Sequence, residues 1–213
     1  MIASGRGSPV ADSGRSAGSR DRRAVWPVRP GPLPSLADDF IVRTDTAADL
    51  GAALAAGAVV VLVSDRGSGQ EPEGWLGSCG KTQLAVCVAE SLWRSRTVEL
   101  LVWVVATSRA SVLSSFAEAA VSVLGADPRG DGESAAARFA GWLGETSRPW
   151  LVVLDDLGDV TDLDGLWPEG PAGRVLMTLA DPAAFPADPA AFPAARGALI
   201  HPVGVFSPCV ALI

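Results

Sequence analysis

Histidine and cysteine are scarce in this sequence. Among 213 residues there is one histidine, His201, and there are three cysteines, Cys79, Cys87 and Cys209. An odd number of cysteines without C-x-x-C spacing argues against both a disulfide framework and a zinc site, and it favours a reducing, cytoplasmic location. One histidine without an identifiable local partner does not make a catalytic dyad, so we interpret His201 as a surface or packed residue.

Long apolar runs are also missing. The longest, Ala58–Val63, has the length of a strand, whereas a membrane-spanning helix needs about 18–20 apolar residues. The N-terminal residues lack the apolar stretch of a secretory signal. We therefore expect no association with a membrane.

Charged residues make up only 19% of the chain, and the net charge of −7 is unevenly distributed. Residues 1–34 contain six arginines and two aspartates, so they carry +4 and the remainder carries −11. An acidic body argues against a nucleic-acid-binding surface on the folded part. The Ser/Gly/Arg/Pro-rich residues 1–37 are predicted to be a disordered tail before one domain over 38–213. A contact of this basic tail with an anionic partner is the less favoured alternative.

The remaining sequence alternates signals for helices and buried strands. Continuous β-branched runs predict strands covered on both faces, and apolar residues spaced four apart predict amphipathic helices. The predicted helices are 45–54, 81–93, 111–124 and 134–145, and the predicted strands are 58–63, 100–106, 149–154, 173–177 and 198–205, the last interrupted by Pro202. This alternation indicates an α/β fold of βαβ units with a parallel sheet and right-handed crossovers.

A perfect repeat follows the fourth predicted strand. The heptad Asp181–Ala187 is repeated unchanged as Asp188–Ala194. Two prolines in each unit exclude the interior of a helix. The simplest interpretation is a duplication that lengthens a loop, and a proline-rich docking segment is the alternative.

The segment after the first strand carries half of a phosphate-binding loop. Gly80, Lys81 and Thr82 match the end of G-x-x-x-x-G-K-[ST] and open a helix, but Trp75 stands where the first glycine belongs. The polar stretch Asp65–Glu73 is interpreted as an insertion. In such a loop the backbone N–H groups and the helix dipole bind phosphate, while the lysine reaches the β/γ-phosphates. The pattern predicts nucleotide-binding residues Gly77, Ser78, Cys79, Gly80, Lys81, Thr82 and Gln83.

A second element strengthens this prediction. The apolar strand Leu151–Leu154 ends in two carboxylates, Asp155 and Asp156, which is the Walker B pattern. Such a pair alone is as easily a solvated loop or a helix cap, but downstream of a G-K-T helix it favours a metal site. We predict that Thr82 and Asp155 bind Mg²⁺. The predicted catalytic residues are Asp156, which orients or deprotonates the attacking water, and Lys81, which neutralises phosphate.

Other residues near these motifs have simpler explanations. Trp103 on the second strand and Trp142 on a helix are interpreted as core residues rather than as base-stacking platforms. Trp75 lies within the loop itself, and the sequence leaves open whether it covers a nucleotide or packs against the sheet. Cys79 lies beside a helix N-terminus, which favours a thiolate, but we interpret it as an inert loop residue.

Taken in order, these motifs resemble a known family. The sequence is similar to the NB-ARC-like P-loop ATPase domain of the signal-transduction ATPases with numerous domains (STAND), in the actinobacterial "ATP/GTP-binding protein" type, over residues 38–208. The matching stretches are Cys79–Ala85, Leu101–Val104, Trp150–Leu157, Leu166–Pro168, Gly173–Thr178 and His201–Pro208. The resemblance implies a three-layer αβα domain with a five-stranded parallel sheet, in which the strand ending at Thr178 lies between the two Walker strands. It also implies ADP in the off state, ATP in the on state, and a continuation into helical, winged-helix and repeat domains.

Two departures from this family affect the prediction. Members commonly read Thr-Thr-Arg after the fourth strand, where the arginine senses the γ-phosphate, whereas this chain reads Thr178-Leu179-Ala180. Arg174 and Arg196 are the first candidates for a replacement. The sequence also stops at Ile213, before the G-L-P-L motif of the family, so we expect a nucleotide-binding domain that is incomplete at its C-terminus.

The sequence therefore predicts a nucleotide-operated switch domain that binds ADP/ATP–Mg²⁺ and hydrolyses ATP slowly. The alternative is a non-hydrolysing nucleotide-binding module or a degenerate fragment of a larger STAND regulator, which the missing arginine favours. A small-molecule kinase is less favoured because it needs an arginine-rich lid, and Arg129 and Arg138 stand alone. The expected partners are the nucleotide and either a protein partner or C-terminal sensor domains, not nucleic acid.

Overall fold

The alternation of helices and strands is present in the structure with small shifts of the element ends. The computed structural model describes residues 24–38, 44–64, 80–179 and 198–204. Within these ranges, the helices are α1 (Thr44–Ala55), α2 (Lys81–Arg94), α3 (Arg109–Leu124) and α4 (Gly132–Glu145), with a 3-10 helix at Val160–Leu163, and the strands are β1 (Val59–Ser64), β2 (Leu100–Val105), β3 (Trp150–Leu157), β4 (Gly173–Leu179) and β5 (Leu199–Val203). The repeat at 181–194, the inserted loop at 65–73 and Trp75 lie outside the described residues, so what was predicted for them stays a prediction.

The five strands form one parallel sheet in the order β2-β3-β4-β1-β5. The predicted α/β fold with a five-stranded parallel sheet is therefore confirmed. Strand β4 lies between β1 and β3, as the resemblance implied, because Val175 pairs with Val152 of β3 and Met177 pairs with Val61 of β1. The middle residues of β1 and β3 are buried, which explains their continuous apolar runs.

Helices cover both faces of the sheet and make a three-layer arrangement. On one face, α3 and α4 pack together, and the rings of Phe116 and Phe139 meet edge to face with their centroids 5.3 Å apart. On the other face, α1 and α2 bury Leu54, Leu84 and Val88 against the sheet. Full burial of side chains of this size contributes about 1.5–3 kcal/mol each, so the two layers hold the sheet in place. None of the described helices combines the length and the apolarity that a membrane crossing needs.

Capping side chains explain why two helices begin earlier than their apolar periodicity indicated. Helix α3 starts at Arg109 because the Ser108 hydroxyl accepts a hydrogen bond from the N–H of Ser111 at 3.3 Å. Helix α4 starts at Gly132 because the Asp131 carboxylate accepts from two N–H groups of the first turn. In both cases the cap holds the residues that precede the first buried apolar side chain, Val112 in α3 and Ala135 in α4.

Residues 24–38, here called the N-terminal strap, pair with the outer edge of β2 at Val28. The Val28 N–H donates to the carbonyl of Glu99 at 2.8 Å, and the Val28 carbonyl accepts from the N–H of Leu101 at 3.1 Å. These two bonds extend the parallel pairing of the sheet by one residue beyond β2. The strap therefore covers part of an edge that would otherwise offer unpaired backbone groups.

Aromatic and cationic contacts fix the strap at its start. The Trp26 ring stacks on Trp142 of α4 with a centroid distance of 6.1 Å, and the Arg148 guanidinium lies 4.4 Å from the Trp26 centroid. Further along the strap, Leu33 packs with the core on the α1–α2 face. The sequence composition predicted disorder over 1–37, and the structure differs for residues 24–37, because a few apolar side chains in a proline-rich segment are enough to dock it. Residues 1–23 lie outside the described part of the chain.

Candidate functional site

The N-terminus of α2 lies at the carboxyl end of the sheet, immediately after Gly80. Gly80 has a φ of 79°, which is the left-handed region, and it precedes the helix without any side-chain cap. Only glycine adopts this conformation at little cost, because it has no Cβ. Gly80 itself has no side chain to cap the first N–H groups of α2, and the helix dipole adds partial positive charge there.

Lys81 is buried next to this helix terminus, with 8% of its surface exposed. Its Nζ donates to the Ser64 Oγ at 2.7 Å, and Ser64 is the last residue of β1. An ammonium group withdrawn from water needs polar partners, and the hydroxyl at the end of the strand provides one. Sequence reasoning missed Ser64, although a polar residue ending an apolar strand just before the loop is a signal that could have identified it.

Thr82 and Asp155, the two predicted metal ligands, are brought together although they are 73 residues apart in sequence. The Thr82 hydroxyl donates to Asp155 Oδ1 with an O–O distance of 2.9 Å. The proton of the hydroxyl is thereby directed at the carboxylate, and the lone pairs of the hydroxyl oxygen remain for a cation. A hydroxyl and a carboxylate are hard oxygen donors, and Mg²⁺ prefers one or two such groups together with water and phosphate oxygens. The donor set fits Mg²⁺.

Thr178 completes this cluster from β4. The residue is buried, with 1% of its surface exposed, and its hydroxyl donates to the same Asp155 Oδ1 at 2.8 Å. The hydroxyl also accepts the backbone N–H of Asp156 at 2.8 Å. Sequence reasoning gave Thr178 no role of its own, although it is a polar residue in an otherwise apolar stretch of β4, which could have drawn attention to it.

Asp156 has an unusual backbone conformation. Its φ is 58°, in the left-handed region that few non-glycine residues occupy, and its surface is exposed. The pairing of β3 with β4 shifts by one residue between Leu154 and Leu157, so Asp156 lies in a β-bulge. The bulge also explains why β3 continues past the predicted end at 154. Bulges of this kind redirect a side chain at the end of a strand, here at the edge where Asp155 meets Thr82.

Gln83 contacts the N-terminal strap. Its Oε1 accepts the N–H of Ala37 at 2.7 Å, and its Nε2 donates to the Ser35 carbonyl at 3.2 Å. Both polar ends of the side chain therefore bind backbone of the strap, whereas the sequence pattern predicted a contact with nucleotide. The predicted loop residues Gly77, Ser78 and Cys79 lie outside the described residues.

The remaining candidates that the structure describes lie away from this cluster. Arg174 lies at the amino end of β4, whereas Thr178 lies near its carboxyl end. Burial lowers the pKa of Arg174. Arg196 lies outside the described residues. The interpretation of Trp103 as a core residue is confirmed, because only 9% of its surface is exposed. Trp142 packs on Phe139 with a centroid distance of 6.0 Å and is likewise part of a packed cluster.

Similar solved structures share this fold. Two structures of the ORC2 protein from Aeropyrum pernix, one described as ADPNP-ADP complexes and the other as the ADP form, each match with a TM-score of 0.51 and 16% identity. The matches cover 83% of this chain but 51% and 52% of the ORC2 chains, so the chain spans about half of their length. No protein-family model and no curated protein matches the sequence. At this level of identity the likeness shows the fold alone, a five-stranded parallel sheet between two layers of helices.

Proposed function

We propose that this chain binds a nucleoside diphosphate or triphosphate together with Mg²⁺, in the manner of an ADP/ATP switch. The observation that carries the proposal is the hydrogen bond from Thr82 to Asp155, since it joins the G-K-T helix to the acidic end of β3. Two motifs that sequence analysis linked only by pattern are thus in contact. The fold likeness to ORC2 structures described as ADP and ADPNP-ADP complexes supports the same class of ligand.

Each residue has a distinct part in the proposed site. Lys81 would exchange its bond with the Ser64 hydroxyl for phosphate oxygens, which are stronger acceptors for an ammonium group. The N–H groups at the start of α2, together with those of the preceding residues from Gly77 to Gly80, would bind the phosphate chain. Thr82 would offer its oxygen to Mg²⁺, and Asp155 would hold the Thr82 proton and the ion's water shell. Bound Mg²⁺ supplies positive charge to the phosphate oxygens.

The use of lysine supports this assignment. The chain contains 17 basic residues, of which 16 are arginines, and Lys81 is its only lysine. The ammonium group of lysine is a compact point charge that fits a phosphate loop, whereas the guanidinium group of arginine is planar and suits bidentate contacts. The one lysine of the chain therefore occupies the position at which this chemistry requires it.

Slow hydrolysis is the finer part of the proposal. Asp156 is exposed at the edge of the site, and we assign it to the attacking water, with the chain acting as a cytoplasmic signalling switch of the NB-ARC-like STAND type. The second candidate is a module that binds nucleotide without hydrolysing it. The sequence Thr178-Leu179-Ala180 favours that candidate, because Ala180 stands where members of the family have the arginine that contacts the γ-phosphate.

Replacing Lys81 with alanine tests the binding proposal. The change removes a charge-assisted contact of about 1.5–3 kcal/mol, so ADP affinity measured by calorimetry should fall about ten- to a hundredfold. Arg138→Ala removes an equal charge from the exposed face of α4 and is the matched control, with unchanged affinity. Because Lys81 is the only lysine, reductive methylation with ¹³C-formaldehyde labels a single side chain. ADP should shift that NMR signal, and equal ADP binding by Lys81→Ala and the parent would refute the proposal.

A further inference from the structure

We infer that Thr178 is a positioning residue that couples the cation site to Asp156. The inference rests on the proposed function and concerns how the same site is controlled. Four polar atoms form an unbroken chain across three elements: Thr82 Oγ1 of α2, Asp155 Oδ1 of β3, Thr178 Oγ1 of β4 and the backbone N of Asp156. The successive distances are 2.9, 2.8 and 2.8 Å. Among these four hydrogen-bonded groups, the Thr178 hydroxyl is the one that bonds to both Asp155 and Asp156.

The direction of this chain follows from the chemistry of its members. A backbone N–H can only donate, so the Thr178 oxygen must accept from Asp156. A hydroxyl has one proton, and the Thr178 proton is therefore left for Asp155 Oδ1. That oxygen also accepts the Thr82 proton, which keeps the Thr82 lone pairs free for a cation. Each of the three bonds thus constrains the orientation of the next group.

The burial of Thr178 makes its hydrogen bonds difficult to replace. With 1% of its surface exposed, the hydroxyl cannot exchange its protein partners for bulk water. The bond to the Asp156 N–H also stabilises the left-handed conformation of the bulge, which otherwise costs free energy. The position of the Asp156 carboxylate and the orientation of the Asp155 carboxylate therefore depend on one side chain. We expect cation binding and the placement of Asp156 to change together when Thr178 is altered.

The measured quantity is the ratio of ADP dissociation constants in EDTA and in Mg²⁺, determined by calorimetry. Thr178→Val keeps the shape and removes both hydrogen bonds, so the ratio should fall about tenfold, while the affinity in EDTA changes by less than about twofold. Thr178→Ser keeps the hydroxyl and should restore the ratio to within about twofold of the parent. Thr97→Val is the matched control, because Thr97 is a half-buried threonine before the amino end of β2. Its ratio should equal that of the parent.

An unchanged ratio in Thr178→Val would overturn the inference. So would a loss of affinity in EDTA that Thr178→Ser does not restore, since that outcome shows a packing role. If Thr178→Val does not fold, Thr178→Cys retains the volume with a weaker donor and acceptor, and its ratio must fall while that of Thr178→Ser does not. A parent protein that binds no ADP in either buffer would instead refute the proposed function.

Discussion

The two ends of strands β3 and β4 differ in chemistry, since the amino end is an aromatic contact and the carboxyl end is a cluster of polar side chains. At the amino end, Trp150 pairs with Gly173, and the Trp150 indole N–H donates to the Leu143 carbonyl at 3.1 Å. A Cβ added to Gly173 would lie 2.1 Å from the Trp150 ring, so the ring occupies the space that a side chain would need. At the carboxyl end, the same two strands bring Asp155 and Thr178 into a buried polar cluster.

This difference separates stability from function along one pair of strands. The amino end buries a large aromatic surface, which stabilises the fold. The carboxyl end buries polar groups, which costs free energy that their mutual hydrogen bonds only partly offset. Functional sites are commonly less stable than the same fold could be, and the carboxyl ends of parallel strands are where such sites lie. We therefore expect substitutions at the two ends to affect different measurements.

The largest expected effect on stability is at the amino end. Gly173→Ala forces a Cβ into the Trp150 ring, and overpacking of this kind should cost about 3 kcal/mol, or about 6–12 °C in the unfolding midpoint. Gly141→Ala is the matched control, because a Cβ on this exposed glycine of α4 meets nothing within 4 Å. That control should raise the midpoint slightly, since alanine favours a helix by about 0.5–1 kcal/mol. Calorimetric scans of the two variants make the comparison. Equal midpoints would show that the Trp150 ring can shift to accommodate a Cβ at position 173.

Substitutions at the carboxyl end should change ligand binding instead. Asp155→Asn removes the charge that holds the Thr82 proton and the cation, so the Mg²⁺-dependent gain in ADP affinity should fall about tenfold. The free energy of unfolding should change by less than about 1 kcal/mol. Asp156→Asn should leave ADP affinity unchanged and abolish any ATP turnover. Asparagine also tolerates the left-handed backbone, so the bulge should survive in this variant. Equal loss of binding in both variants would contradict the separate roles assigned to the two acids.

The smallest expected effect is at Gln83, which lies at the functional end but contacts the strap. Gln83→Leu removes its two bonds to Ser35 and Ala37, and it should lower stability by about 1 kcal/mol while ADP affinity stays within about twofold of the parent. Denaturant unfolding and calorimetry measure the two quantities. A tenfold loss of ADP affinity would instead place Gln83 among the nucleotide contacts that the sequence pattern predicted.

Sequence reasoning identified the parts of this molecule that have a local signature. The strands were recognisable because a run such as Val59–Val63 is apolar enough to be buried on both faces. The position of β4 between β1 and β3 followed from the family resemblance, and the pairing of Thr82 with Asp155 followed from two motifs of known chemistry. In each case the signal is a short sequence motif, or an ordered set of such motifs, that can be read without knowledge of the contacts in space.

Features that depend on distant contacts were not recognisable. The bulge at Asp156 requires the Thr178 hydroxyl from another strand, so the acidic pair alone did not indicate it. Residues 24–37 of the strap were predicted to be disordered because they belong to the Ser/Gly/Arg/Pro-rich residues 1–37. Their docking depends on Trp26 meeting Trp142 of a helix more than a hundred residues away. Composition averages over a segment, and docking can depend on a single side chain.

The strap also bears on how the protein behaves at high concentration. The outer edge of a sheet is a template onto which strands of other molecules can add, and Val28 already pairs with the backbone of Glu99 and Leu101 there. The strap is a poor template in its turn, because Pro27, Pro30, Pro32 and Pro34 have no N–H to donate. A further strand would therefore meet an interrupted row of hydrogen-bond donors on this side. The strap therefore occupies the backbone groups of Glu99 and Leu101, at which a strand of another molecule would otherwise begin to pair with this edge.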